Sequence, residues 1–245
     1  MSGENEMTTA SSQPNFPGGT PEEREFEMTT ESSQTSFPRG TPEEREFEFR
    51  AHVGAMWSGS RLFIAMYTFL LASVCFAYFY LRSSNNAQLW RPHNVTAPLY
   101  YGWAIYILLL FTALMALFGQ TRFRKGSVND WQIAGWAGVL SGLVALFLQI
   151  FEFTKVPFNP GSSAYASIFI GFACVNCLTI FAGTYWLETT LARSLRIRKE
   201  LGGTNPELST AFTARSLRAN VSAMTYFWGY IALSSTLFLW MFYRF

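Results

Sequence analysis

One acidic side chain in the apolar part of the sequence could do chemistry. Glu152 stands three residues after Gln149, in the run Gln-Ile-Phe-Glu, so both side chains share one face of a helix. An ionisable group at membrane depth is costly and is therefore a functional candidate by default. An acid at the membrane edge, paired with Lys155, is a second interpretation that stays open. The sequence thus offers Gln149 and Glu152 as a candidate buried polar pair.

The residues needed for redox or metal chemistry are scarce. The chain has only two histidines, His52 and His93, and both fall outside the apolar runs. A bis-histidine haem needs histidines on facing helices, and copper centres need cysteine and histidine together. Cys174-x-x-Cys177 has redox-motif spacing, but its apolar surroundings favour two small packing residues. We therefore expect no catalytic residue, metal site or cofactor on this chain, which also lacks nucleotide-binding motifs.

The elements that position these residues are membrane helices. Half of the residues are apolar and 14% are charged, whereas a soluble domain carries about 25% charged residues. From residue 55 onward, apolar runs alternate with short polar stretches, and each run is near the roughly 20 residues that a membrane-spanning helix needs. The sequence predicts an all-α integral membrane bundle over 55–245 with five transmembrane helices, at about 62–81, 99–118, 131–151, 165–187 and 221–243.

The third run carries a stripe of small residues, which let helices approach one another closely. We expect this helix to lie in the middle of the bundle. The stripe consists of Gly135, Gly138, Ser141 and Gly142.

The first 50 residues form a separate acidic tail. Residues 6–26 and 27–47 are a tandem repeat with 17 of 21 positions identical. Each copy contains Thr-Pro-Glu-Glu, a capping-box helix start with proline at the first helical position. A solvated, flexible leader is one interpretation, and a docking element anchored by Phe26 and Phe47 is the other. The tail lacks the basic start and the apolar core of a cleavable signal peptide, so we expect it to remain on the protein.

The basic residues predict an orientation. Eleven of those outside the runs, from Arg50 to Arg218, would lie on one side of the membrane, and four would lie on the other. The positive-inside rule then places the N-terminus in the cytoplasm and the C-terminus outside a cell membrane. Five crossings, an odd number, also place the two termini on opposite sides of the membrane, so the two arguments agree.

Four stretches resemble subunit III of the haem–copper oxidases, the cytochrome c and quinol oxidase family. Residues 61–82 resemble the family helix with an aromatic Phe-Tyr-Leu-Arg-like end, and 146–153 resemble its Leu-Gln-x-x-Glu-aromatic segment. Residues 164–183 resemble its Tyr-Gly-Ser-x-Phe-Phe helix, and 224–245 resemble its closing helix. The order and spacing match over about 55–245, and five spans suit the shorter members of the family.

The chain also departs from the family pattern. Tyr67 stands where the family usually has a membrane-embedded acid. The family's Gly-x-His-x-x-His segment is replaced around 173–179, where Asn176 is the nearest polar substitute. The closing helix opens Tyr226-Phe-Trp-Gly instead of Tyr-Trp-His-Phe. The family's intramembrane acid and histidines are thus absent, while Gln149 and Glu152 remain.

The resemblance implies a non-catalytic accessory subunit of a respiratory haem–copper terminal oxidase. Such a subunit packs on catalytic subunit I, binds phospholipid, and supports proton uptake and stability, while haem and copper lie in partner subunits. Arg61 and Arg82, which flank the first run, are the candidate lipid headgroup contacts. The alternatives are a subunit III-like protein that accompanies nitric oxide reductase, and a small membrane transporter or assembly factor.

Overall fold

The computed structural model describes residues 41–85, 87–92, 96–200 and 212–244. Contacts divide the chain into two units, Met1–Arg45 and Glu46–Phe245. Across the described ranges the chain is all-helical and contains no strand, which confirms the predicted fold class in its coarse form. The predictions for the first repeat copy, for Phe26 and for His93 lie outside the described residues.

Six helices and one π-helical turn make up the described structure. In chain order they are α1 (Pro42–Ser84), α2 (Ala87–Trp90), α3 (Leu99–Arg124), α4 (Val128–Lys155), α5 (Ala164–Glu200), α6 (Phe212–Phe238) and the π-helical turn Leu239–Arg244. Four of them, α1, α3, α4 and α5, are long and apolar enough to cross a membrane. The helix α6 and the π-helical turn cover the predicted fifth run and are less apolar. The bundle therefore has four or five helices compatible with a multi-pass membrane protein.

The hydroxyl side chains of α6 bond back to their own helix. Ser234 and Ser235 both donate hydrogen bonds to the Ile231 carbonyl, at 2.9 and 2.7 Å, and Thr236 donates to the Ala232 carbonyl at 3.1 Å. A hydroxyl that bonds back to the preceding turn presents no free donor. These residues lower the apolar character of the helix without exposing unsatisfied polar groups.

Two helices extend well beyond their apolar runs. α1 has 43 residues and begins at Pro42. The helix therefore begins eight residues before residue 50, where the predicted tail ends. Thr41 and Glu44 form both hydrogen bonds of the capping box, Thr41 N to Glu44 Oε2 at 2.7 Å and Glu44 N to Thr41 Oγ1 at 3.3 Å.

α5 has 37 residues and continues to Glu200. The predicted fourth run ends at residue 187, and the polar stretch after it was expected to be a loop. This was wrong, because the helix continues through residues 188–200. Residues 188–200 contain neither glycine nor proline and are rich in leucine, alanine and arginine, which favour helix.

The small-residue stripe places α4 between α3 and α5. A Cβ added to Gly135 would lie 2.4 Å from Leu191 Cδ2, and one added to Gly142 would lie 2.6 Å from Thr184 Oγ1, both on α5. On the side toward α3, Ser141 Oγ lies 2.6 Å from Thr112 Oγ1. Small residues permit this close contact on both sides. The outer face of α4 is exposed, however, with Ile133 at 71% and Leu140 at 62%, so the prediction that α4 lies in the middle of the bundle was wrong.

α1 contacts α6 through large aromatic side chains. Phe63 packs on Phe227 with ring centroids 5.4 Å apart, and the Tyr67 ring meets the Tyr230 ring at 6.1 Å. Thr68 Oγ1 lies 2.6 Å from the Tyr230 hydroxyl. The remaining faces of α1 are largely exposed, with Phe69 at 76% and Phe76 at 71%, as suits a helix that faces lipid or a partner.

Candidate functional site

The interior of the bundle holds a buried carboxyl group near the C-terminal end of α4. Glu152 is 1% exposed and Gln149 is 4% exposed, both on the inner face of α4. Gln149 Nε2 donates to Glu152 Oε2 at 2.7 Å, so the structure brings the two predicted residues together. Their spacing of three residues explains this contact, since such side chains are neighbours on a helix surface.

A tyrosine from the far end of the chain completes the coordination of the carboxyl group. The Tyr243 hydroxyl donates to Glu152 Oε1 at 2.5 Å. The π-helical turn presents Tyr243, and the Tyr165 hydroxyl holds that turn by donating to the Phe242 carbonyl at 2.8 Å. The Tyr243 ring passes directly over Gly102 of α3, where a Cβ would lie 2.7 Å from the ring. Glycine at this position is therefore needed for the ring to reach Glu152.

Asn176 of α5 extends the hydrogen bonding to a third helix. Its Nδ2 donates to Gln149 Oε1 at 2.9 Å. Gln149, Glu152, Asn176 and Tyr243 together form what we call the buried polar cluster. It links α4, α5 and the π-helical turn by three hydrogen bonds between side chains.

The buried polar cluster contains no cation. In the described part of the chain, no basic group lies within ion-pair distance of Glu152. Lys155 instead places its Nζ 5.1 Å from the centre of the Phe151 ring. The geometry therefore does not support a membrane-edge pair between Glu152 and Lys155.

A small cavity of about 40 Å³ adjoins the buried polar cluster, and we call it the central cavity. Its walls come from α3, α4, α5, α6 and the π-helical turn, and most of them are aromatic or aliphatic. Polar side chains reach it at a few points, namely Tyr106, Gln149, Asn176, Ser235 and Tyr243.

A second, larger cavity of about 530 Å³ lies where α1, the end of α5 and the start of α6 meet. We call it the basic cavity, after its polar lining of His52, Thr189, Arg193, Arg196, Thr213 and Ser216. The His52 Nε2 atom lies 3.2 Å from Ser216 Oγ. Among the residues that the structure describes, no acidic side chain lines this cavity, and Glu188 and Arg193 form no ion pair.

Arg193 and Arg196 are three residues apart on α5, so their guanidinium groups lie on one side of the helix. Among the described residues neither has an ion-pair partner. Guanidinium groups that face no carboxylate are well suited to bind a phosphate or carboxylate ligand.

Beside the basic cavity, a charged clamp joins α1 to α6. Arg215 donates two hydrogen bonds to the Glu46 carboxylate, at 2.9 and 3.1 Å, and its guanidinium lies 3.8 Å from the centre of the Phe49 ring. The hydrogen bond from Arg215 holds the pKa of Glu46 below its ordinary value of 4.5. The clamp fixes the part of α1 that extends beyond its apolar run.

No family model matches the chain, and no curated protein matches it at a significant level. The resemblance to subunit III therefore rests on the four stretches named above.

The other residues singled out by sequence lie apart from the buried polar cluster. Arg61 is exposed, with its guanidinium 5.7 Å from the centre of the Trp57 ring. Arg82 is exposed near the opposite end of the apolar run, in the last turn of α1. Tyr67 is 6% exposed and packs among aromatic rings of α1 and α6.

Sulfur and metal ligands do not assemble into a site in the described residues. Cys75, Cys174 and Cys177 are free thiols. Within the described ranges, no three side chains of histidine, cysteine, aspartate or glutamate come close enough to hold a metal ion.

Sequence reasoning missed Tyr243 and the basic cavity. Tyr243 lies 91 residues from Glu152 along the chain, and no local pattern joins them. Arg193 and Arg196 did carry a signal, the i, i+3 spacing of two arginines just beyond an apolar run.

Proposed function

We propose that this chain is a non-catalytic accessory subunit, similar to subunit III, of a respiratory haem–copper terminal oxidase. It packs on the catalytic subunit in a cell membrane, binds phospholipid, and supports proton uptake and the stability of the complex. Haem and copper belong to the partner subunits. The bundle crosses the membrane five times, with the N-terminus in the cytoplasm and the C-terminus outside.

One observation carries the proposal. Three of the four stretches that resemble the family, 146–153, 164–183 and 224–245, each contribute a side chain to the buried polar cluster. Glu152 and Gln149 come from the first stretch, Asn176 from the second and Tyr243 from the third. If the similarities to the family were accidental, we would not expect side chains from three of the stretches to form one hydrogen-bonded cluster. Their contact therefore supports an arrangement of helices shared with subunit III.

The exposed surface of α1 is consistent with a subunit that needs a partner. Its apolar side chains point away from the bundle along most of the apolar run. In a membrane, such a face contacts either lipid or another apolar helix. The proposal assigns part of this face to the catalytic subunit and the rest to lipid.

Purification of the tagged chain from native membranes in mild detergent tests the assignment. We expect a histidine-rich catalytic subunit in the eluate, with haem absorbance and oxygen reduction, whereas the chain expressed alone shows no haem absorbance. An eluate without a haem protein would overturn the proposal, and so would haem bound by the chain alone. A partner that reduces nitric oxide but not oxygen would select the nitric oxide reductase alternative.

Lipid binding is assigned to the basic cavity and to Arg61 and Arg82. The basic cavity lies at the end of the apolar run of α5, where a phospholipid headgroup would be found. The guanidinium groups of Arg193 and Arg196, which have no ion-pair partner among the described residues, and the hydroxyl groups of the lining match the oxygens of a phosphate. Anionic lipids attract basic residues at this depth by about 1 kcal/mol per charge.

Native mass spectrometry of the purified complex measures this binding. We expect the double variant Arg193→Gln with Arg196→Gln to lose the anionic phospholipid bound in the basic cavity. The separate double variant Arg61→Ala with Arg82→Ala should carry less phospholipid than the wild type. Arg198→Gln is the matched control, because Arg198 bonds Asn129 outside the cavity. Unchanged bound lipid in the double variants refutes the assignment. Displacement by inorganic phosphate in the buffer would identify a soluble anion as the ligand instead.

A further inference from the structure

Glu152 is a buried acid without an ion-pair partner among the described residues. A carboxylate that is 1% exposed and has no cation nearby within the described residues would be an unpaired charge in a medium of low dielectric constant. Such a charge is expensive, and a buried acid commonly avoids the cost by holding a proton. Two hydrogen bonds, from Tyr243 and Gln149, offset only part of this cost.

The contact with Tyr243 fits both protonation states of Glu152. An oxygen–oxygen distance of 2.5 Å is typical of a strong hydrogen bond between a hydroxyl and a carboxyl group. When Glu152 is ionised, the Tyr243 hydroxyl donates to Oε1. When Oε1 carries the proton, it donates to the Tyr243 oxygen, and the hydrogen of Tyr243 must then find another acceptor.

The central cavity can supply that acceptor. Tyr243 lines it, and its volume of about 40 Å³ exceeds the space for one water, which is about 10–15 Å³ on this measure. A buried water also needs two to four polar partners. Tyr243, Gln149 and Asn176 offer these, since no hydrogen bond among the described residues uses the Asn176 Oδ1 atom.

We propose that Glu152, together with Tyr243 and water held in the central cavity, forms a proton-binding site inside the bundle. The proton resides on Glu152 Oε1 and is shared with the Tyr243 oxygen. Tyr243 in turn donates to the water, and the water contacts the amides of Gln149 and Asn176. The site belongs to the chain itself, so it stands whether or not the chain joins an oxidase.

Infrared difference spectroscopy of the purified full chain tests for the proton. We expect a carboxylic acid C=O band that is present in the wild type, absent in Glu152→Gln, and shifted after transfer to D₂O. Glu188→Gln, at an exposed position on α5, is the matched control and should leave the band unchanged. If wild type and Glu152→Gln show no difference in the carboxylic acid region, Glu152 is ionised and the proposal is wrong.

Radiolytic hydroxyl labelling followed by mass spectrometry tests for the water. Phe172 lines the central cavity and is 6% exposed, whereas Tyr67 is also 6% exposed and lies outside the cavity. Relative to the denatured chain, we expect Phe172 to be labelled several-fold faster than Tyr67. Equal protection of the two side chains would mean a dry cavity and would overturn the proposal.

A cavity-filling variant provides an independent check. Ala173 lines the central cavity and is 3% exposed, so Ala173→Leu should displace the water. Labelling of Phe172 should then fall several-fold in protein that retains its helical circular dichroism. If that variant does not fold, the comparison within the wild type still decides the question.

Discussion

Replacement of Tyr243 by phenylalanine isolates the most informative hydrogen bond in the bundle. The change removes one oxygen atom and leaves the ring in its position over Gly102 and against Phe169. The Glu152 carboxyl then loses its partner at 2.5 Å while remaining buried.

The expected cost follows from the kind of bond that is lost. A buried polar group left without its hydrogen-bond partner costs about 1–3 kcal/mol. Hydrogen bonds between membrane helices are weaker on average, about 0.6 kcal/mol with a maximum near 1.7. Because the bond here joins a carboxyl group to a hydroxyl at short distance, we expect the upper part of the membrane range, about 1–1.7 kcal/mol.

Equilibrium unfolding in mixed micelles with increasing dodecyl sulfate measures this difference. Tyr185→Phe is the matched control, since Tyr185 is 61% exposed and has no side-chain hydrogen bond among the described residues. The control should change the free energy of unfolding by less than about 0.5 kcal/mol. Equal effects of the two changes would show that the Tyr243 bond contributes no net stability.

A double-mutant cycle assigns the effect to Glu152. If Tyr243→Phe acts by removing the bond to Glu152, its cost should shrink in a Glu152→Leu background, which gives a coupling energy of about 0.5 kcal/mol or more. Additive effects would mean that Tyr243 stabilises the bundle through some other contact.

Two further predictions concern packing and charge. Gly142→Val should destabilise the bundle by about 1–3 kcal/mol in the same unfolding assay, because its side chain would overlap Thr184, whereas Gly171→Val meets no atom within 4 Å and should be neutral. The Glu46–Arg215 ion pair should stabilise the chain above pH 4.5 and lose this effect as the pH falls through the lowered pKa of Glu46; a stability difference between wild type and Glu46→Gln that persists at pH 2 would contradict this.

The sequence predicted those features that depend on local patterns. The helical class, the close packing of α4 against its neighbours and the proximity of Gln149 to Glu152 all follow from periodicity, small-residue spacing or i, i+3 geometry. The middle position predicted for α4 was wrong, because small residues indicate close packing but not how many sides of a helix are covered. The predicted end of the α5 helix at residue 187 was wrong. The charged residues that follow were interpreted as a loop, although arginine and leucine favour helix.

Contacts between distant parts of the chain could not be predicted in this way. Tyr243 reaches Glu152 only because a π-helical turn rotates the end of the last helix, and Asn176 reaches Gln149 only because α4 and α5 pack closely. The polarity of a single residue does not indicate which distant side chain it will contact. The basic cavity likewise forms from α1, α5 and α6, and no local pattern indicates that these three helices lie side by side.

The aromatic packing of α1 against α6 also bears on how the protein is made. Thr68 and its partner Tyr230 are 162 residues apart, so at about 5–20 residues per second the ribosome needs roughly 10–30 seconds to produce the second after the first. Throughout that interval, α1 is in the membrane without the helix it packs against. α1 is thus synthesised before α3, α4 and α5 but can dock on α6 only after them, and a partner or insertion factor that shields its aromatic face would act during translation.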